Sequence, residues 1–161
     1  MPDPKSSILF VCLGNICRSP LAEGIFLHAA RQRSVADRFT VDSCGTGGWH
    51  VGERPDKRAR AVAKKNGVEL PSLARTLDAP RDFERFHWII PMDRQNKADL
   101  LDAGAPKDRT RLFRSFDPAL ASAPESDIEV PDPYWGGDDG FDQVFRMISD
   151  ACEGMLAELG T

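Results

Sequence analysis

The sequence has no apolar run approaching the roughly 18 residues of a membrane-spanning helix, and no basic segment leading into an apolar one near its start. Neither a membrane partner nor a secretory leader is expected, and the cytoplasm is the expected location. Positive charge is not in excess either. Lys and Arg number 21 against 25 Asp and Glu, a net charge of −4, which argues against nucleic acid as the main partner. Cysteines are few, at 12, 17, 44 and 152. None shows the C-x2-C spacing of a structural zinc site, and the chain is too large to need disulfide staples, so a reducing compartment fits. Tyrosine occurs once, at Tyr134. No Gly-x-Gly-x-x-Gly fingerprint, internal repeat or linker-like boundary is present. What is there is an ordinary globular composition, 41% hydrophobic and 29% charged over 161 residues, which suits one domain with a substantial core.

Residues 7–23, SILFVCLGNICRSPLAE, organise the rest. Ile8, Leu9, Phe10 and Val11 read as a buried strand. The pattern breaks at Gly14 and Asn15, then resumes after Ser19 and Pro20 as a helix with Leu21, Ile25 and Leu27 toward one side. Strand, tight loop and helix point backbone N–H groups and a helix N-terminus at an anion. Cys12 stands at the head of that loop in a C-x5-R-S pattern that ends in Arg18 and Ser19. Loop amides, an arginine and a helix N-terminus all favour the thiolate, the nucleophilic form of cysteine. The same concavity suits a dianionic phosphate, with amides from Leu13, Gly14, Asn15, Ile16 and Cys17 around it. Arg18 brings a planar fork that grips two oxygens, which Lys does less well. Ser19 can donate to the thiolate and make it a better leaving group. Gly14 and Asn15 are the residues most able to take φ > 0, which such a curved loop calls for. A lone C-x5-R is common by chance; the strand before it and the helix after it are the context that raises it above chance.

Down the chain, residues 1–6 read as a flexible polar lead. A helix is expected over 19–34, a half-buried strand over 39–43, and a glycine-rich loop over 44–49. Next come a helix over 54–66 with Pro55 in its first turn, a strand over 86–90, and a helix capped by Asp93 that stops at Gly104. A short fourth strand is expected over 109–113, a long loop over 117–133, and an amphipathic helix over 139–158. Lys57, Arg58, Arg60, Lys64 and Lys65 read as a solvated helix face. The fold class is α/β: a single domain with a four-stranded parallel sheet, helices on both faces, and the phosphate-binding loop after the first strand. Ligands bind beyond the carboxyl ends of such strands, where Cys12 lies. Asp132, before Pro133 and Tyr134, is the best candidate for a general acid. Read alone, Asp-Pro in an acidic loop is equally a turn signal.

VCLGNICRSPLAE at 11–23 resembles the signature of the low-molecular-weight protein tyrosine phosphatases, and the resemblance extends along nearly the whole chain. It includes Cys12, Gly14, Asn15, Cys17, Arg18, Ser19, Ser43, Trp49, Arg75, Asp93, Asp132, Pro133 and Tyr134. The resemblance implies phosphotyrosine hydrolysis through a phosphocysteine on Cys12, with Asp132 as acid and then base, and with no cofactor or metal. It implies that Ser43 supports Asn15 in its strained conformation. Ser72 stands where a histidine often completes that support, and Trp135 where a second tyrosine is frequent. A reversible disulfide between Cys12 and Cys17 is a further implication. Trp49, Tyr134 and Trp135 would wall a pocket for a phenyl ring, although each could instead pack in the core. The partners implied are phosphotyrosine proteins or small aryl phosphates, and the expected state is a monomer or weak dimer.

Three rivals remain. Arsenate reductase shares the fold but relays a disulfide through further cysteines, and residues 45–151 contain none. Protein arginine phosphatase typically has threonine where this chain has Ile16. A phosphate-binding protein without catalysis would be expected to lack Cys12 or Asp132, and both are present; a thiol redox sensor built on Cys12 and Cys17 stays open as a second role.

Overall fold

The apolar run at the head of the organising stretch becomes β1 (Ser7–Cys12), buried from Ile8 onward. It pairs in parallel with β2 (Thr40–Gly45) on one side and β3 (Trp88–Pro91) on the other, so the sheet order is β2-β1-β3. The computed structural model describes residues 6–160, and the side chains of Trp135 and Asp138 lie outside what is described. The flexible lead expected over 1–6 therefore falls, Ser6 apart, outside the described residues.

A central strand covered on both faces needs apolar residues at every position, and β1 has them. Ile8, Phe10 and Cys12 face a core shared with α1 (Arg18–Gln32) and α5 (Asp138–Leu159). Leu9 and Val11 face the other, with Phe83 from α3 (Arg81–Arg85), Phe86, and Leu100 from α4 (Arg94–Asp102). The chain leaves β1 toward β2, then crosses to β3 on the far side. Strand order thus reverses at the carboxyl end of β1, which is the place for a ligand crevice in an open parallel sheet.

Among the described residues the sheet has three strands rather than the four expected. Residues 109–113 make one bridge, Ile89 to Thr110, and Arg111 N donates to Ile89 O. Phe113–Phe116 then tightens into a 3₁₀ turn that carries Phe113 and Phe116 into the core, ending the strand before it can lengthen. The second long helix, α2 (Lys57–Lys65), starts later than expected because Asp56 caps it: its carboxylate accepts from Arg58 N. Pro55 precedes that cap instead of opening the helix. Asp93 caps α4 as expected, accepting from Asn96 N, and Gly104 follows with φ 100°. Among the described residues no helix is long and apolar enough to cross a membrane.

Candidate active site

Cys12 ends β1 and Arg18 begins α1, so the five residues between them wrap around the helix N-terminus. Cys12 is 2% exposed. Asn15 N donates to its Sγ at 3.3 Å, and Ser19 Oγ lies 2.9 Å from it. A backbone amide and a hydroxyl therefore converge on the sulfur. The positive backbone angle falls on Asn15, φ 58°, and not on Gly14. Gly14 is needed for closeness: a Cβ there would sit 3.0 Å from the His50 ring. Gly45 has a similar role at the end of β2, where a Cβ would meet Leu13 O at 2.6 Å. The glycine-rich loop thus lets its backbone lie against the cysteine loop.

Asn15 is held on both ends of its amide. Its Nδ2 donates to Ser19 Oγ at 2.7 Å and to Ser43 Oγ at 3.0 Å, and its Oδ1 accepts from Arg75 N at 2.9 Å. Ser43 Oγ in turn donates to Glu23 at 2.6 Å, and the Ser72 hydroxyl also bonds that carboxylate. Burial raises the Glu23 pKa above the usual carboxylate value, against the lowering effect of the two serines. Ser72 thus joins the network through Glu23, from the position where the family resemblance often places a histidine.

Arg18 is 3% exposed. Its Nη1 donates to Asp93 Oδ2 at 2.6 Å and to Val130 O at 3.1 Å, while Nη2 lies 3.7 Å from Asp132 Oδ2. Burial alone would lower the Arg18 pKa, but the charge of Cys12 and the Asp93 bond outweigh it and the net direction is upward. The guanidinium stays charged. Burial, with Asp56, Cys12 and Asp132 nearby, pushes the Cys17 thiol well up, so at neutral pH it remains a thiol.

A cavity of about 410 Å³ opens over the loop, lined by Cys12, Leu13, Gly14, Ile16, Cys17, Arg18, Trp49, His50, Asp132 and Tyr134. Asn15, Ser19 and Ser43 sit behind it as buried support. Trp49 is 72% exposed, so it belongs to the rim and not to the core. Tyr134 is also on the rim. Trp135 ends the turn Pro133–Trp135, with its side chain outside the described residues. Asp132 caps that turn, its Oδ1 accepting from Tyr134 N at 3.0 Å. Turn signal and pocket residue are therefore one and the same, with Oδ2 turned to the Arg18 side.

Sequence reasoning missed several participants. Glu23 is four residues after Ser19, so both share a helix face, and that spacing was the available signal. Asp93 was read as a cap and as a residue of the family resemblance, with no role given toward Arg18; its second oxygen holds that arginine. His50, which lines the cavity and pairs with Glu53, had no signal beyond its neighbour Trp49. The basic face of α2 is not uniformly solvated. Lys65 pairs with Asp142 at 2.8 Å, and Arg58, its side chain 38% exposed, stacks on Tyr134 and Phe141.

A buried Cys-x5-Arg cradle at the switch point of a parallel sheet, facing an aspartate across an aromatic-rimmed cavity, defines an α/β protein of the cysteine-loop phosphatase class. Comparison with known proteins narrows the class. The family model described as low molecular weight phosphotyrosine protein phosphatase matches residues 7–161. The low molecular weight phosphotyrosine protein phosphatase of Schizosaccharomyces pombe is 42% identical, over 94% of this chain and 96% of its own. The crystal structure of a protein tyrosine phosphatase from Entamoeba histolytica is 36% identical, covers 96% of both chains and superposes with a TM-score of 0.86. A Drosophila arginine phosphatase structure is 32% identical, with 96% of this chain and 98% of that one covered and a TM-score of 0.84. The chain belongs to the low molecular weight phosphotyrosine protein phosphatase family and is a protein tyrosine phosphatase.

Proposed function

We propose that the chain hydrolyses aryl phosphomonoesters, phosphotyrosine on proteins first among them, in two steps carried by Cys12, Arg18 and Asp132. In the first, the Cys12 thiolate attacks phosphorus in line. The S–P bond forms, the P–O bond to the leaving group breaks, and the Asp132 proton goes to the departing oxygen. In the second, Asp132 takes a proton from water, the water oxygen bonds to phosphorus, and the S–P bond breaks to return the thiolate. Loop amides from Leu13 to Cys17 and the free edge of Arg18 would carry the charge on the equatorial oxygens throughout. Ser19 steadies the thiolate as it leaves. The carrying observation is that Cys12, Arg18 and Asp132 line one cavity, with Arg18 Nη2 3.7 Å from Asp132 Oδ2.

The rim supports the substrate class. Leu13, Ile16, Trp49 and Tyr134 give an apolar wall above a polar floor, where a phenyl ring fits and leaves its phosphate at the bottom. A serine phosphate is too short to reach a buried sulfur across such a wall. Ile16 supports the tyrosine enzyme over an arginine phosphatase. No metal or other cofactor enters this reading. Four unpaired cysteines support a reducing location, the cytoplasm. Cys17 beside Cys12 would shield it as a disulfide under peroxide.

The test is competition among phosphotyrosine, phosphoserine and phosphoarginine peptides in EDTA. Phosphotyrosine preferred, with no effect of the chelator, is the expected result; preference for phosphoarginine, or loss of turnover in EDTA, would overturn the substrate or the metal-free reading.

A further inference from the structure

The aspartate loop is fixed on both sides of Asp132. Upstream, Val130 N donates to Met92 O at 2.8 Å and Val130 O accepts from Arg18. Downstream, the contact comes from α2. Arg58 Nη2 donates to Tyr134 O at 3.2 Å, and its guanidinium carbon lies 5.4 Å from the Tyr134 ring centre and 4.7 Å from that of Phe141. The same Nη2 also donates to Asp56, at 3.3 Å, beside Nε at 3.2 Å, so one edge of the guanidinium joins Asp56 to Tyr134. Asp56 N, in turn, donates to Ile16 O in the cysteine loop at 2.7 Å. A continuous set of contacts therefore runs from Ile16 through Asp56 and Arg58 to Tyr134.

Its end point matters for Asp132. One carboxylate oxygen of Asp132 is bound to Tyr134 N, so the position of Tyr134 sets the direction in which the other oxygen points. We infer that Arg58 is a positioning residue for Asp132: by holding Tyr134 against α2 it keeps the second oxygen of the acid over the cavity, on the Arg18 side. The inference rests on the reading of Asp132 as proton donor. Arginine suits the task because a planar guanidinium bonds along its edges while its faces lie on rings; a lysine ammonium bonds at a point and offers no flat face.

The test uses leaving groups. A poor one, phenyl phosphate, needs the acid, whereas a good one, 2,4-dinitrophenyl phosphate, departs without it. Phosphoenzyme formation is followed by rapid quench for wild type, Arg58→Met, Arg58→Lys, Asp132→Ala and the Arg58→Met/Asp132→Ala double variant. Competitive inhibition by inorganic phosphate reports on the cradle. Arg58→Met is expected to slow phenyl phosphate about tenfold and dinitrophenyl phosphate less than about twofold, with phosphate inhibition unchanged. Arg58→Lys should recover part of the loss. The double variant should be no slower than Asp132→Ala, since Arg58 acts through that residue. Equal loss on both substrates, weakened phosphate inhibition, or additive losses in the double variant would overturn the inference. A selective Asp132→Ala with a non-selective Arg58→Met would remove Arg58 alone. A non-selective Asp132→Ala would remove the acid assignment and Arg58 with it.

Discussion

Between the cysteine loop, residues 12–18, and the aspartate loop that carries Asp132, the difference lies in how each is held. The first is buried and cross-braced. Asn15 alone has three side-chain bonds that reach α1, β2 and the Arg75 backbone, and Ser43 passes one of them on to Glu23. The second lies on short 3₁₀ turns, with Asp132 side-chain exposure near one third, and is pinned at Val130 and Tyr134. The chemistry explains the contrast. Charge stabilisation works when donors are fixed before the reaction begins, because nothing then needs to reorganise. In the proposed mechanism Asp132, as proton donor, must also admit a leaving group and release it, which accords with its place at the open side.

Three substitutions would sharpen or break this comparison. Asn15→Ala should have the largest effect. It puts an alanine in the left-handed region and leaves three partners unmatched, which is expected to cost about 3 kcal/mol of stability together with most phosphate affinity. Denaturant unfolding and phosphate inhibition measure the two; a stable variant with normal phosphate binding would show that the bracing is not needed. Asp93→Asn comes next. Asn caps α4 as well as Asp does, so the cap survives and only the nearer charge partner of Arg18 goes, Asp132 remaining at 3.7 Å. About 2 kcal/mol of stability should be lost, and thermal unfolding reads it. An unchanged midpoint would mean that Val130 O and Asp132 suffice for Arg18.

Glu23→Gln should be the smallest and depends on pH. The folded-state pKa of Glu23 is raised, so the folded protein holds this proton more tightly than the unfolded chain does. Its contribution is then fully present below the unfolded carboxylate value and is lost as pH rises through the folded one. Glutamine does not titrate, so its stability profile should be flatter over that window. Parallel wild-type and Glu23→Gln profiles would mean that this carboxylate does not couple to folding.

How far the sequence revealed these two loops follows the same contrast. The cysteine loop is local: an apolar strand, Gly14 and Asn15, then Ser19 and Pro20 announce its shape within a dozen residues. α5 was equally legible, because its stripe repeats over 22 residues. Asp132 had only Asp-Pro to mark it, and the resemblance made it a candidate acid. The fourth strand was read from Arg109 to Phe113, but Phe113 and Phe116 were drawn into the core by a turn that periodicity does not encode. Arg58 looked like one more basic residue on a helix surface. Its partners, Tyr134 and Phe141, lie more than seventy residues away, and no local pattern connects them.

The most direct measurement is where the phosphoryl group rests. p-Nitrophenyl phosphate would be mixed with wild type, Cys12→Ser and Asp132→Ala in EDTA, quenched in acid within the first turnover, and the protein mapped by mass spectrometry. A phosphoryl group on Cys12 in wild type, absent from Cys12→Ser and formed but slowly hydrolysed in Asp132→Ala, is the predicted result. Turnover in Cys12→Ser, or a phosphoryl group on any other residue, would contradict the central role given to Cys12.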